Sequence, residues 1–390
     1  MELVADRYKQ TEVGLIPRDW EVKTLGEIFD FKNGLNKEKE FFGYGTPIVN
    51  YMDVFRNAGI LKSDIQGKVF LTPQEIKNYE VKKGDVFFTR TSETVEEIGV
   101  STVVLEDFEN TVFSGFVLRG RPKNSTLELT FKKYCFASVV VRKEITSTAS
   151  YTTRALTNGR LLSNVKIPVP TKAEQTAIAT ALSDADALIS SLEKHIDKKR
   201  NIKQGAMQKL LQPKEGWEVK KLGETCSKIT TGKLDANAMS EDGEYRFYTC
   251  AKNYFFINEY AFDDEALLIS GNGENVGYVH YYNGKFNAYQ RTYVLTGFTQ
   301  NIHFIKIYLD KFLPARIDSE VNSGNTPYIK MGTLTDMKIS LPSFEEQTRI
   351  ATILSDMDAE IAALEGKLEK YKKVKLGMMQ NLLTGRIRLV

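Results

Sequence analysis

The chain has 390 residues, with 53 Lys and Arg against 50 Asp and Glu, for a net charge near +3. Hydrophobic residues are 42% and charged residues 26% of the total, the balance of a soluble, core-forming chain rather than a disordered one. No apolar run is long enough for a transmembrane helix, and so small a net charge does not by itself name a partner.

In chain order, the opening residues Met1 to Asp6 show no basic and apolar leader pattern, and the three cysteines (Cys135, Cys226, Cys250) form no CxxC pair. Both features predict a reducing, cytoplasmic setting without a disulfide framework. The first organised block is Asp19-Trp20-Glu21-Val22-Lys23-Thr24-Leu25-Gly26-Glu27. It returns as Gly216-Trp217-Glu218-Val219-Lys220-Lys221-Leu222-Gly223-Glu224, and the two blocks hold both tryptophans of the chain. A second pair follows: Val165-Lys166-Ile167-Pro168-Val169-Pro170 with Glu174-Gln175, and Met337-Lys338-Ile339-Ser340-Leu341-Pro342 with Glu346-Gln347. The chain is therefore an internal repeat.

Within the first copy, alternation and turn signals predict strands over 47–52, 85–89, 100–105 and 111–118, and a helix over 126–141. The second copy gives strands over 245–250, 266–270, 276–282 and 289–295, and a helix over 301–313. Gly84-Asp85, Asn272-Gly273 and Asn283-Gly284 supply turns. Val86-Phe87-Phe88-Thr89 aligns with Ala266-Leu267-Leu268-Ile269, and Val117-Leu118 with Val294-Leu295. Between such anchors the copies barely match: the scaffold repeats and the middles diverge.

After each globular segment comes a long helical stretch. Ile178, Leu182, Ala185, Ile189, Leu192 and Ile196 mark its seam in the first copy, and Ile350, Leu354, Met357, Ile361, Leu364 and Leu368 in the second. Recurrence every 3.5 residues is the coiled-coil pattern. Roughly forty residues at about 1.5 Å each give a rod of about 60 Å. Both stretches begin acidic and end basic, so antiparallel packing opposes unlike charges, with an intermolecular coiled coil as the structural alternative. Lys199, Lys203 and Lys375 fall on the seam and read as long stems snorkelling at frayed ends. The expected fold is α+β: two mixed α/β domains separated by two long antiparallel coiled-coil helices, with a pseudo-two-fold internal repeat. The boundaries are a globular segment over 1–170, a helix over 171–212, a second globular segment over 213–343, a helix over 344–384, and a tail over 385–390.

Motifs for catalysis are missing. Asn325-Thr326-Pro327-Tyr328 has one proline where an amino-methyltransferase loop needs two, and no strand–GxGxxG–helix unit precedes it. Gly271-Asn272-Gly273 opens a glycine-rich stretch that reads as a loop between strands. Asp64 with Glu75-Ile76-Lys77 fits a loose nuclease pattern, but solvated charge is the ordinary reading of such a string. Scattered histidines (His195, His280, His303) and cysteines give no metal-binding spacing. The expectation is no catalytic residue and no metal site.

The opening TEVGLIPRDWEVKTLGEIFDFKNG, the string FFGYGTPIVNYMDV and the ending EEQTRIATILSDMDAEIAALEGKLEKYKKVKLGMMQNLLTG carry a resemblance. The chain resembles, over essentially its whole length, the specificity subunits of type I restriction–modification systems. The resemblance implies two target-recognition domains, each followed by a spacer helix, that read the unlike halves of a bipartite site in double-stranded DNA. It implies two methyltransferase (modification) subunits docked on the helical rod, and restriction subunits for cleavage. S-adenosylmethionine, ATP and Mg would belong to those partners, with no cofactor in this chain and no membrane contact. A coiled-coil scaffold or adaptor binding proteins through its globular domains is the second reading.

Arg and Lys read guanine, and Asn and Gln read adenine, in the major groove. Loops at strand ends that carry these types are the candidate DNA contacts. They are Lys32, Asn33, Arg90, Thr91, Ser92 and Arg154 in the first domain, and Lys233, Asn272, Gln290, Arg291, Tyr328 and Lys330 in the second. Arg90 should emerge at the mouth of an apolar strand, and Gln290-Arg291 should interrupt one.

Overall fold

The structure is a computed structural model that describes residues 7–151, 154–320 and 328–389. It divides into two compact units, one of Met1–Glu193 with Gly366–Val390 and the other of Lys194–Glu365. The division cuts both long helices, Lys172–Leu210 and Phe344–Leu382, of 39 residues each. None of the described helices is long and apolar enough to cross a membrane.

The first unit is built on a five-stranded sheet in the order Phe29–Asn33, Val117–Pro122, Val86–Thr89, Ser101–Val104, Gly59–Ile60. Val86–Thr89 is buried along its whole length because apolar side chains cover both faces. Val86 and Phe88 join the core shared with Trp20, Phe29, Phe136 and the start of the long helix, while Phe87 joins Val49, Val54 and Phe113. A strand buried on both faces reads as a continuous apolar run, and each such side chain contributes about 1.5–3 kcal/mol. The second unit carries a six-stranded sheet in the order Cys226–Thr231, Thr292–Phe298, Phe262–Ser270, Val279–Ala288, Tyr245–Tyr248, Phe255–Ile257.

The repeated sequence blocks turn out to be partners. Glu21–Thr24 pairs antiparallel with Lys166–Val169, and Glu218–Lys221 pairs the same way with Lys338–Leu341. Each ribbon hands the chain into a long helix whose buried glutamine locks the junction. Gln175 donates to the Pro170 carbonyl at 2.9 Å and accepts from the Glu128 N–H at 2.8 Å; Gln347 donates to Pro342 at 2.9 Å and accepts from Asn301 at 3.0 Å. A buried amide satisfied on both ends cannot be replaced by a carboxylate or an alkyl group without orphaning backbone groups, which accounts for its return in both copies.

Along the long helices, Ile178, Leu182, Leu192, Ile196, Ile350, Leu354 and Ile361 are buried, while Ile189, Leu364 and Leu368 are half-buried. Inside each unit the two helical portions run antiparallel. In the first, Lys372 meets Glu193 at 3.2 Å and Lys375 meets Asp186 at 2.5 Å. In the second, Lys199 meets Glu360 and Arg200 meets Glu365, both at 2.6 Å, and Lys203 meets Asp358. The seam lysines are thus not frayed ends: each pairs with an acidic residue on the facing helix, as the charge order of the helices requires.

Asp186 ties the helices to the first domain. One oxygen accepts from Lys133 and from the Tyr134 hydroxyl, each at 2.7 Å, while the other takes Lys375. Burial works to raise this carboxyl, but hydrogen bonds from Lys133, Lys375 and Tyr134 outweigh it and hold it below its ordinary value of 3.8. A depressed folded value stabilises the fold above the unfolded value and is lost as pH falls through the folded one. Asp186→Asn is therefore expected to cost about 2 kcal/mol at pH 7 and to flatten the acid limb of a stability–pH curve below about pH 4. An acid limb unchanged in urea titrations would remove Asp186 from this role.

Several sequence expectations are corrected. The helix expected over 126–141 is two, Lys132–Cys135 and Val139–Thr148, because Gln175 holds residues 126–128 in a non-helical path and Ser138 caps the second. Residues 51–52 are helical, not extended: Asn50 and Asp53 form a capping box that starts Tyr51–Arg56. The strand expected over 111–118 breaks at Ser114 into Val112–Phe113 and Val117–Pro122. Asn283-Gly284 is no turn but lies inside Val279–Ala288, whose unbroken ladder with Phe262–Ser270 overrides the local signal. The glycine-rich Gly271–Gly277 stretch does link those strands, closed by a hydrogen bond from the Gly277 N–H to the Ser270 carbonyl at 2.8 Å.

Candidate nucleic-acid interface

In both units the neighbouring central strands end together, and the backbone hydrogen bonds there match one for one. Ser114 N–H donates to Val49 O and Gly115 N–H to Leu35 O; Tyr289 donates to Tyr248 and Gln290 to Leu234. Arg90 donates to Phe116 O and Thr157 to Arg90 O; Gly271 donates to Arg291 and Ile329 to Gly271. Arg90 therefore corresponds to Gly271, Phe116 to Arg291 and Thr157 to Ile329. This shifts the two middle anchors of the sequence alignment by one and two residues, because ladder partners rather than similar side chains define equivalence.

The mouth of the first unit gathers Asn33, Arg90 and Thr91. Asn33 is exposed at the end of its strand, opposite Leu118. Arg90 follows Val86–Thr89 directly and is half-buried, its guanidinium 3.5 Å from the Gly115 carbonyl. Thr91 lies in a short strand paired with Ala155–Leu156, which also brings Arg154 alongside; Arg154 is exposed and 3.8 Å from Glu93. Ser92 is only 6% exposed, and its hydroxyl serves Glu97 and the Thr94 N–H, so it shapes the loop from within. Lys32 is turned to another part of the domain, donating to the Asn78 carbonyl at 2.5 Å above the Tyr79 ring.

Sequence reading missed the apolar part of this mouth. Phe116 is 66% exposed and Met52 42%. With Tyr51, Phe55, Thr91 and Arg154 they line a cavity of about 490 Å³. Burial, followed by the nearby Glu97 carboxylate, pushes the Tyr51 phenol up, so it remains a neutral hydrogen-bonding group. The available signal was the Ser114-Gly115 pair, where Gly115 packs so close to Asn36 that a Cβ would sit 2.0 Å from its Oδ1.

In the second unit Lys233, Asn272, Arg291, Tyr328 and Lys330 come together. Asn272 bridges Tyr328, and Ile329 bonds back to Gly271. Lys233, Arg291, Tyr328 and Lys330 are exposed. Gln290-Arg291 does not interrupt a strand; it forms the turn that enters Thr292–Phe298, with the Thr292 N–H on the Tyr289 carbonyl at 2.8 Å. The Gln290 amide is committed to Asp235 at 2.7 Å. The Arg291 guanidinium has no hydrogen-bond partner among the described residues.

Asp64 and Glu75 are capping residues. Glu75 closes a box with Thr72 and pairs with Lys37 at 2.7 Å, and these contacts, the lysine first, push its carboxyl down to about 2. Among the described residues no group of His, Cys, Asp and Glu is placed to hold a metal ion. Residues 325–327 of the Asn-Thr-Pro-Tyr string lie outside the described residues.

One scaffold used twice, with different side chains at matched strand ends, defines a modular recognition protein. The model of the type I restriction modification DNA specificity domain matches residues 17–202 and again 214–373, and the chain belongs to that family. It is 39% identical over 168 residues to the type I restriction enzyme EcoDI specificity subunit of Escherichia coli, an alignment covering 43% of this chain and 37% of that protein. With the putative MjaX specificity subunit of Methanocaldococcus jannaschii it shares 27% identity over 98% of this chain and 97% of that one. Its fold is that of the S subunit of a type I restriction–modification system from M. genitalium, at a TM-score of 0.60 and 19% identity, covering 93% of this chain and 96% of the other.

Proposed function

We propose that this chain is the non-catalytic DNA-specificity subunit of a type I restriction–modification complex, and that each domain reads one half of a bipartite, asymmetric site in double-stranded DNA. The observation that carries the reading is the pair of matched strand mouths. Identical backbone bonding presents Arg90 and Phe116 in one domain, and Gly271 and Arg291 in the other. Equal scaffolds with unequal side chains suit two unlike half-sites, because phosphate contacts position a protein while base-edge contacts specify the sequence. Asn33, Arg90, Thr91 and Arg154 form the first reading surface, and Lys233, Asn272, Arg291, Tyr328 and Lys330 the second. Half-sites one helical turn apart lie about 34 Å from each other on one face of the duplex.

The long helices are the docking surface for two methyltransferase subunits, with restriction subunits joining for cleavage. S-adenosylmethionine, ATP and Mg are used by those partners. The complex works in the cytoplasm. A protein-binding scaffold would share the helices and the duplication, but it gives no reason for chemically different strand mouths on one backbone.

The test is a map of N6-methyladenine after co-expression of the chain with its methyltransferase subunit in a host free of such methylation. One asymmetric two-part motif, lost when this chain is omitted, is the expected result. A soluble complex of the two proteins that leaves no chain-dependent motif would favour the scaffold.

A further inference from the structure

Resting on that reading, we propose that Phe116 determines one base of the first half-site by taking the 5-methyl group of a thymine in the major groove, next to the position served by Arg90. Phe116 is 66% exposed, although Phe113, Val117 and Leu118 around it are fully buried. It is therefore an apolar side chain set outward in the short turn between Val112–Phe113 and Val117–Pro122, whose neighbouring apolar groups turn in.

Its location is fixed. The carbonyl of Phe116 accepts the Arg90 N–H at 3.2 Å, and the next residue, Val117, is the ladder partner of Thr89. Cross-strand neighbours of this kind hold their side chains about 5 Å apart, close enough to address the same or adjacent base pairs. The matching position in the second domain holds Arg291, whose neighbour across the strand is Gly271. The arginine has thus changed strand between the two copies, and in the first copy the vacated place is filled by phenylalanine.

Chemistry selects the ligand. A phenyl ring donates and accepts no ordinary hydrogen bond, so it distinguishes neither guanine nor adenine by their polar edges and gains nothing from a phosphate. The apolar feature of the major-groove edge is the thymine methyl, and contact with it is a known mode of readout for apolar side chains. Met52 and Phe55 line the same cavity and extend the apolar surface. Thr91 and Arg154 line it too, as do the carboxylates of Glu93, which sits 3.8 Å from Arg154, and Glu97, which accepts from Ser92. The cavity measures about 490 Å³.

The experiment uses the full chain in complex with its methyltransferase subunit, and duplexes in which each thymine of the first half-site is replaced in turn by uracil, which removes only the methyl. At one position the unaltered complex is expected to bind the uracil duplex about four-fold more weakly, the factor that corresponds to about 0.8 kcal/mol for one buried methyl. Phe116→Ala should bind both duplexes equally, and Phe116→Leu should keep part of the preference. A first half-site without thymine, no uracil-sensitive position, or sensitivity that persists in Phe116→Ala each overturns the proposal. So does a Phe116→Ala chain that keeps its base preference but loses the methyltransferase subunit, since that marks a protein contact. These failures leave the two-part methylation motif standing; loss of the motif in the unaltered complex is what removes the DNA-reading role itself.

Discussion

Arg388→Ala is expected to destabilise the unit containing the first domain by about 3 kcal/mol and to lower its melting temperature by roughly 6–12 °C. Arg388 lies in the tail beyond the second long helix, yet it closes a network at the heart of the repeat. Its Nε donates to Glu174 at 2.5 Å, and its terminal nitrogens donate to Asp19 at 3.0 and 2.7 Å. Glu174 is fully buried and also accepts from the Trp20 indole at 2.7 Å. Removing the arginine leaves a buried carboxylate with one neutral donor, and that orphaned charge is the source of the cost. The approach is tight: Tyr8 donates to the Gly385 carbonyl at 3.0 Å, and a Cβ at Gly385 would sit 2.5 Å from the Pro17 ring. Gly385 also has φ of +69°, so the turn requires glycine on two grounds. Arg388→Lys should recover less than half of the loss, since one ammonium cannot replace a fork that serves two carboxylates. Calorimetry on the three chains checks this, and a change below about 1 kcal/mol for Arg388→Ala would mean that water or Trp20 alone satisfies Glu174.

The ends of each copy were legible in the sequence because the same physical demands recur there. The tryptophan strand, the Val-Lys-Ile strand and the glutamine that locks the helix must fit one another, so they return as a set. The helix seam and its charge order were legible for a similar reason: periodicity reports a face, and the ion pairs between Lys203 and Asp358 or Lys375 and Asp186 follow from opposed ends. What the sequence concealed were decisions made by tertiary contacts. Asn283-Gly284 carries a strong hairpin signal that a long antiparallel ladder suppresses. Residues 126–128 carry helical periodicity that a distant glutamine cancels. At the strand mouths, residue type alone points to Lys32, Ser92 and Gln290, and does not show that their side chains bond to Asn78, Glu97 and Asp235 in the free chain. It passed over Phe116, because an exposed aromatic in a strand-like string looks like core.

The second large effect concerns specificity rather than stability, and it separates the two domains. Arg291→Ala is expected to erase the preference for one base pair in the second half-site, a loss of about 1–3 kcal/mol, or five- to 150-fold in discrimination. The first half-site and the assembly with methyltransferase subunits should be untouched. The geometry supports so local an effect. The Arg291 backbone is held by Gly271 at 2.8 Å and by the Cys250 thiol at 3.5 Å, so the turn survives loss of the side chain. Its exposed guanidinium has no hydrogen-bond partner among the described residues, which leaves its donors available for the two acceptors of a guanine edge. Arg291→Lys sharpens the test: a lysine keeps the charge that holds phosphates but lacks the planar fork. It should preserve non-specific affinity at low salt while losing most of the base preference. Arg90→Ala should produce the complementary result, confined to the first half-site. Methylation maps of the three variants distinguish the outcomes. A motif relaxed in both halves by either alanine change would mean that the arginines act through overall attraction to DNA. An unchanged motif in Arg291→Ala would remove that residue from the reading surface.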